Sequence, residues 1–141
     1  MKTNELKCTD LRIGNYVNIE GDVVKVKEIY EKSIHYTYGE YESYATEDFI
    51  QPIELTEEVL VKIGFEDRKG YFNYSRVFGD ENNYCDSIYI YYCPRLNHFK
   101  FTHNIVEKLD LQTMDLYNIK YLHQLQNAHF ILTNKELNIE L

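Results

Sequence analysis

Tryptophan is absent from this sequence, proline occurs only twice, and no apolar run approaches the roughly 18 to 20 residues that span a bilayer. No membrane-crossing helix is therefore expected. The opening residues, MKTNELKCTD, lack the apolar centre of a secretory signal, so the expected location is the cytosol. Cysteine is scarce as well. Cys8, Cys85 and Cys93 are odd in number and match no metal-ligand spacing, which predicts three free thiols rather than a disulfide framework or a zinc site. Cys85, Cys93, His98 and His103 lack the close Cys-x2-4-Cys knuckle that clamps a structural zinc. A glycine-rich phosphate loop, a nucleophile elbow and a kinase signature are all missing, so nothing in the motifs points to catalysis, and no cofactor is expected.

Positive charge is the other deficit. The formal net charge is -8, with 15 Lys and Arg against 23 Asp and Glu. Residues 1 to 53 carry 6 basic and 10 acidic groups and residues 54 to 141 carry 9 and 13, so each part stands at -4 and no basic stripe offsets the other. Binding to a phosphate backbone needs clustered cations that release counterions, and this distribution argues against a nucleic-acid partner.

What the sequence has in excess is tyrosine: 14 residues, in a chain that is 44% hydrophobic and 27% charged, a globular composition. Tyrosine favours strands and binding surfaces, because it buries a ring and keeps a hydroxyl for a partner. From Leu11 onward, short β-rich runs are separated by Gly14, Glu20-Gly21, Glu31-Lys32-Ser33 and Gly39, which predicts strands at Tyr16 to Ile19, Asp22 to Tyr30, Ser33 to Tyr38 and Phe49 to Ile53. This meander, opened by LRIGNYV, resembles a small SH3-like or KOW-like barrel.

After Pro52 the period changes. Thr56 can cap a short helix whose first turn holds Glu57 and Glu58, with Val59, Leu60 and Ile63 as its buried stripe and Gly64 as its stop. Alternation returns over Phe65 to Val77, Tyr84 to Cys93 and His98 to His103, with Lys69-Gly70 as a hairpin turn and residues 79 to 83 as a polar loop carrying Asp80 and Glu81. Ile105 to Tyr117 fits neither period. In IKYLHQLQNAHFILT, residues 119 to 133, Ile119, Leu122, Leu125, Ala128 and Leu132 fall on one helical face. His123 and His129 are six apart and roughly 240° away from each other, so they cannot share a metal; one is expected at the core and one in solvent. Gln124, Gln126 and Asn127 are expected to satisfy backbone groups. Leu137, Ile139 and Leu141 alternate with polar residues and predict a last strand.

The fold expected is α+β: an SH3-like barrel part over 1–53, then over 54–141 a helix, an antiparallel sheet and a C-terminal helix packed across that sheet, all in one compact unit. By the two-residue period Ile88, Ile90 and Tyr92 face a core, and Tyr89 and Tyr91 face away. With Lys100 and Arg76 on neighbouring strands, these tyrosines form the candidate ligand-binding set, suited to a flat anionic ligand such as a nucleotide. The simpler account is that the rings line a covered side of the sheet.

Three stretches carry a family resemblance: Asp10 to Val17 (DLRIGNYV), Ile53 to Phe65 (IELTEEVLVKIGF), and Ile119 to Asn127 (IKYLHQLQN) continuing through Phe130, Leu132 and Thr133. They resemble small proteins of phages, prophages and mobile elements of Bacteroidota. That likeness implies a setting in the host cytosol, where small acidic proteins act on host machinery or defence. It leads to the expectation of a noncatalytic protein that sequesters a nucleotide signal. The alternatives are an acidic inhibitor of a host enzyme, acting as a nucleic-acid mimic or interaction module, and a small-molecule enzyme. A homo-oligomer is compatible with any of these.

Overall fold

The computed structural model describes residues 6–67, 74–78, 88–93, 98–105, 110–117, 119–134, 136–137 and 139. They form two compact units, residues 1–55 with 121–136 and residues 56–120 with 137–141. The architecture is α+β, with one antiparallel five-stranded sheet in each unit. No helix among the described residues is long and apolar enough to cross a membrane.

In the first unit the strands are β1 (Tyr16–Ile19), β2 (Asp22–Ile29), β3 (Ser33–Tyr38), β4 (Tyr41–Thr46) and β5 (Ile50–Gln51), in the order β4-β3-β2-β1-β5. Two tight turns set the meander. Glu20 at φ 52° and Gly21 at φ 92° give the doubly left-handed turn between β1 and β2, and Gly39 at φ 60° opens the turn between β3 and β4. Such turns match the strand twist and favour Gly, Asn or Asp at their left-handed positions, so Glu20 holds its φ against preference while Gly21 does so freely. β2 bends at a bulge between Val26 and Glu28. Val17, Ile19, Val24, Val26, Ile34, Ala45 and Ile50 line the inner face, joined by Leu6, Cys8 and Leu11.

β4 was not expected as a strand. Of its six residues only Ala45 is buried, so it carries no apolar face for a period to show. The strand expected over Phe49 to Ile53 is reduced to Ile50–Gln51, because a 3-10 turn occupies Glu47–Phe49. β5 pairs with β1, and β4 with β3 alone, so among the described residues the sheet is open and is not closed into a barrel.

The C-terminal helix α2 (Leu122–Thr133) belongs to this first unit. From sequence it is expected with the 54–141 region; its residues group instead with 1–55. The physical reason lies in its polar residues, which meet the backbone before β1 (below). The peptide N–H of Leu122 also donates to Ile53 O at 2.8 Å, and Glu54 pairs with Tyr121. The buried residues of α2 are Leu122, His123, Leu125, Gln126 and His129, an arc of about 160° at 100° per residue. Both histidines are therefore buried, where one was expected in solvent. Ala128 is half-buried at the edge of the arc, and Ile131 is exposed at its opposite pole.

The second unit holds α1 (Glu57–Lys62), β6 (Glu66–Asp67), β7 (Tyr74–Phe78), β8 (Ile88–Cys93), β9 (His98–Ile105) and β10 (Asp110–Tyr117), with sheet order β10-β9-β8-β7-β6. Thr56 Oγ1 accepts from Val59 N at 3.2 Å, as expected of a cap, and Gly64 follows at positive φ. β10 pairs with β9 over eight positions, which settles the stretch that fitted neither period. Tyr92 and Phe99 face each other across β8 and β9, buried, with ring centroids 4.5 Å apart. Leu137 and Ile139 are buried but belong to no strand, so the expected last strand is not formed at these positions. Cys85, the Lys69-Gly70 turn, the 79–83 loop and Leu141 lie outside the described residues.

Cys8 and Cys93 are buried free thiols. Burial, and then the hydrogen bond and charge of Glu47, push the Cys8 thiol up to about 11 from 9.0. That rise means about a hundredfold less thiolate, the reactive form. At pH 8 a native thiol titration is expected to find Cys8 nearly inert, and a denatured, nonreduced sample to release three thiols. Because the folded value lies above the unfolded one, the Cys8 contribution to stability is complete below pH 9.0 and is lost as pH rises toward about 11. A fast native reaction at Cys8 would refute the buried placement.

Candidate functional site

Two surfaces compete for the role of site. The four residues nominated from sequence lie in the second unit and are placed by backbone register. Lys100 sits directly opposite Tyr91 across β8 and β9, and Tyr89 sits opposite Thr102. Arg76 pairs with Ile90, one row away from the Tyr91 row. Tyr91, Tyr89 and Cys93 share the same strand parity, and Cys93 is fully buried, so the sheet side carrying that parity is covered at the Cys93 end.

The first unit presents an aromatic surface that the sequence reading passed over. On the outer face of its sheet, Glu28, His35 and Tyr44 form one cross-strand row, on the side opposite Ile29, Ile34 and Ala45. The Tyr44 ring stacks on His35 at 4.6 Å and 16°, and Tyr30 leans against Tyr44 at 6.3 Å. His35 Nδ1 lies 3.0 Å from Glu28 Oε1, and its Nε2 lies 3.7 Å from Glu42 Oε2. The Tyr30 hydroxyl donates to Glu28 Oε2 at 2.9 Å. Lys27, the residue at the β2 bulge, pairs with Glu42.

These contacts set the charges. The hydrogen bond from His35, then that from Tyr30, holds Glu28 below the usual carboxylate range, while the Glu28 carboxylate raises the Tyr30 hydroxyl. Lys27 lowers Glu42 and is itself raised by it. His35 is buried beneath these groups, yet the Tyr44 ring stacked on it is 64% exposed; Tyr41, at the hairpin end and of the opposite strand parity, is 77% exposed. Tyr30, Tyr38 and Phe49 are exposed as well.

Chemically, the arrangement suits holding more than reacting. Both His35 nitrogens face carboxylates and its ring face is covered by Tyr44, which leaves no lone pair directed outward for a substrate proton. Among the described residues no group of three or more His, Cys, Asp or Glu is arranged to hold a metal ion. The signal for this surface was present in HYTYGEYESY, residues 35 to 44: tyrosines on both sides of a tight-turn glycine, in a segment without Lys or Arg. It went unread because β4 was unread.

The amides of α2 hold backbone groups. Gln126 Oε1 accepts from Tyr16 N at 2.9 Å and its Nε2 donates to Gly14 O at 3.1 Å. Asn127 Oδ1 accepts from Asn15 Nδ2 at 2.9 Å, and Asn127 Nδ2 donates to Asp10 O at 3.2 Å. Gln124 Oε1 caps the helix by accepting from Tyr121 N at 3.1 Å. Arg12 completes the cluster, lying 3.7 Å above the Phe130 ring and pairing with Glu136. All three amides satisfy backbone groups, as expected from sequence. Comparison with protein-family models, with curated proteins and with solved structures gives no match for this chain.

Proposed function

We propose that the protein is a noncatalytic binding protein whose outer face on β2, β3 and β4 docks another protein. The observation that carries this reading is exposed Tyr44 stacked on the buried His35, with exposed Tyr30 leaning against it. Tyrosine binds with little loss of side-chain freedom, and a ring already ordered by stacking loses less still. Interface energy concentrates in such aromatic anchors. The net charge of -8 selects basic partners and speeds their approach. The likeness to phage and mobile-element proteins supports a host protein in the host cytosol as the partner. The SH3-like reading of the first unit is supported by strand order, in which β5 returns beside β1.

Cross-linked capture from a lysate of the source cells tests it, with the intact chain and with a variant carrying Tyr30→Ala and Tyr44→Ala. A partner held by the former and lost by the latter, at unchanged melting temperature, is the expected result. Equal capture by both ends the proposal.

The direct pairing of Tyr91 with Lys100 favours a second reading, sequestration of an anionic small molecule such as a nucleotide on β8 and β9. Mass spectrometry of the supernatant released by heating the purified protein should then find an unaltered nucleotide, and Tyr89→Ala with Tyr91→Ala should abolish its retention. If that double variant melts far below the intact protein, the rings support the fold and the sequestration reading fails.

A further inference from the structure

The hydrogen-bond alternation of the β3–β4 hairpin identifies which backbone groups of β4 point away from the sheet. The peptide N–H of Glu47 donates to Lys32 O at 2.9 Å, and the register runs Thr46 with Ser33, Ala45 with Ile34, Tyr44 with His35, Ser43 with Tyr36 and Glu42 with Thr37. Antiparallel ladders alternate between hydrogen-bonded and open pairs. Counting back from Glu47, the groups of Ala45, Ser43 and Tyr41 turn inward, and those of Thr46, Tyr44 and Glu42 turn outward. All three outward residues are exposed, and among the described residues nothing pairs with that edge.

Sheet edges are ordinarily blunted by proline, lysine, a bulge or shortness. β5, the opposite edge, is two residues long; β4 has six, without proline, lysine or bulge. We infer that the open edge of β4 takes up an extended, Lys- or Arg-bearing segment of the partner as a sixth strand, an inference that rests on the docking reading above.

Charge fixes the chemistry of the occupant. Residues 33 to 55 contain Glu40, Glu42, Glu47, Asp48 and Glu54 and no Lys or Arg. Glu40 and Asp48 flank β4, exposed, and neither forms an ion pair with a described residue. In an added strand, side chains of one parity fall beside Glu42, Tyr44 and Thr46, where cations meet a carboxylate and a tyrosine ring. Those of the other parity fall beside Ser43 and Ala45, which admit Thr or Val. A second copy of β4 would bring the same acidic segment against itself, and like charges in cross-strand register repel.

The probe is an acetylated, amidated heptapeptide alternating Lys or Arg with Thr and Val, added to the full chain and followed by amide NMR shifts and hydrogen exchange. The expected result is slowed exchange at Glu42, Tyr44 and Thr46. Thr46→Pro removes one outward N–H at a residue whose φ of -77° already suits proline and whose side chain makes no cap bond. It should weaken binding by about tenfold, the loss of one intermolecular backbone hydrogen bond, with the melting temperature unchanged. Glu40→Lys with Asp48→Lys should weaken it at least as much, independently of any backbone change. Equal binding of a peptide with Glu in place of Lys and Arg overturns the proposal, as does edge protection that appears with rising protein concentration alone. If Thr46→Pro binds the peptide normally while the Tyr30→Ala, Tyr44→Ala variant loses its captured partner, edge addition fails and docking stands. If that variant also keeps its partner, both fail.

Discussion

Replacing Leu125 with Ala is expected to lower the unfolding free energy by about 2 to 5 kcal/mol, the range for deleting a large aliphatic side chain from a packed site. Leu125 has no exposed surface and lies within the buried arc of α2, between fully buried Leu122 and half-buried Ala128. His123→Ala should cost less. His123 stacks on Tyr121 at 5.9 Å, but its Nδ1 is buried without a hydrogen bond to any described residue, so truncation also removes a polar atom that those residues leave uncompensated. The two variants differ in their response to acid. Burial lowers the His123 pKa below 6.5, only partly offset by Asp10, so the folded state resists a proton that the unfolded state accepts. Stability from this group is complete above pH 6.5 and falls as the solution is acidified below it. Leu125→Ala should keep that acid slope and His123→Ala should flatten it. Denaturant melts of both variants at pH 7 and pH 5 decide the matter; a Leu125→Ala loss under 1 kcal/mol would place α2 outside the core, on the same scale.

The elements that were legible in the sequence are those whose signals are local. Glu20-Gly21 and Gly39 mark their hairpins, Thr56 marks its helix, and the alternation of Val17 with Ile19 and Val24 with Val26 marks an inner face. β4 and β10 were lost because neither separates apolar from polar residues by parity; both exist through pairing with β3 and β9, and a partner strand is not local information. Helix α2 was visible, but its orientation was not. A hydrophobic period counts Gln126 and His129 as polar and so turns the buried face toward Ala128, whereas those two side chains face inward. The candidate site followed the same rule. Tyr89 and Tyr91 are neighbours in one run, while Tyr30, just after β2, His35 on β3 and Tyr44 on β4 meet only through register.

That misread glutamine carries the second large effect. Gln126 is 2% exposed and occupies both ends of its amide on backbone groups of one turn: Tyr16 N–H can only donate, which fixes the oxygen, and Gly14 C=O can only accept, which fixes the nitrogen. Gln126→Met keeps length and burial but leaves that donor and that acceptor facing an apolar chain. Each orphaned, part-buried group costs up to about 1 to 3 kcal/mol, so a loss of about 2 to 6 kcal/mol is expected, comparable to the Leu125 cavity although no cavity forms. Asn15 sets the limit on this sum. Its Nδ2 lies 3.5 Å from Gln126 Oε1 but 2.9 Å from Asn127 Oδ1, and its Oδ1 accepts from Arg12 N at 2.7 Å, so Asn15 keeps its stronger partners in the variant. Asn127→Ala combined with Gln126→Met should therefore be worse than the two single losses added together, because Asn15 then loses both amide acceptors. Chemical denaturation of the two single variants and the double variant measures that coupling. A Gln126→Met chain as stable as the original would show that α2 is held by its leucines alone, and that the polar contacts to the turn before β1 contribute nothing net.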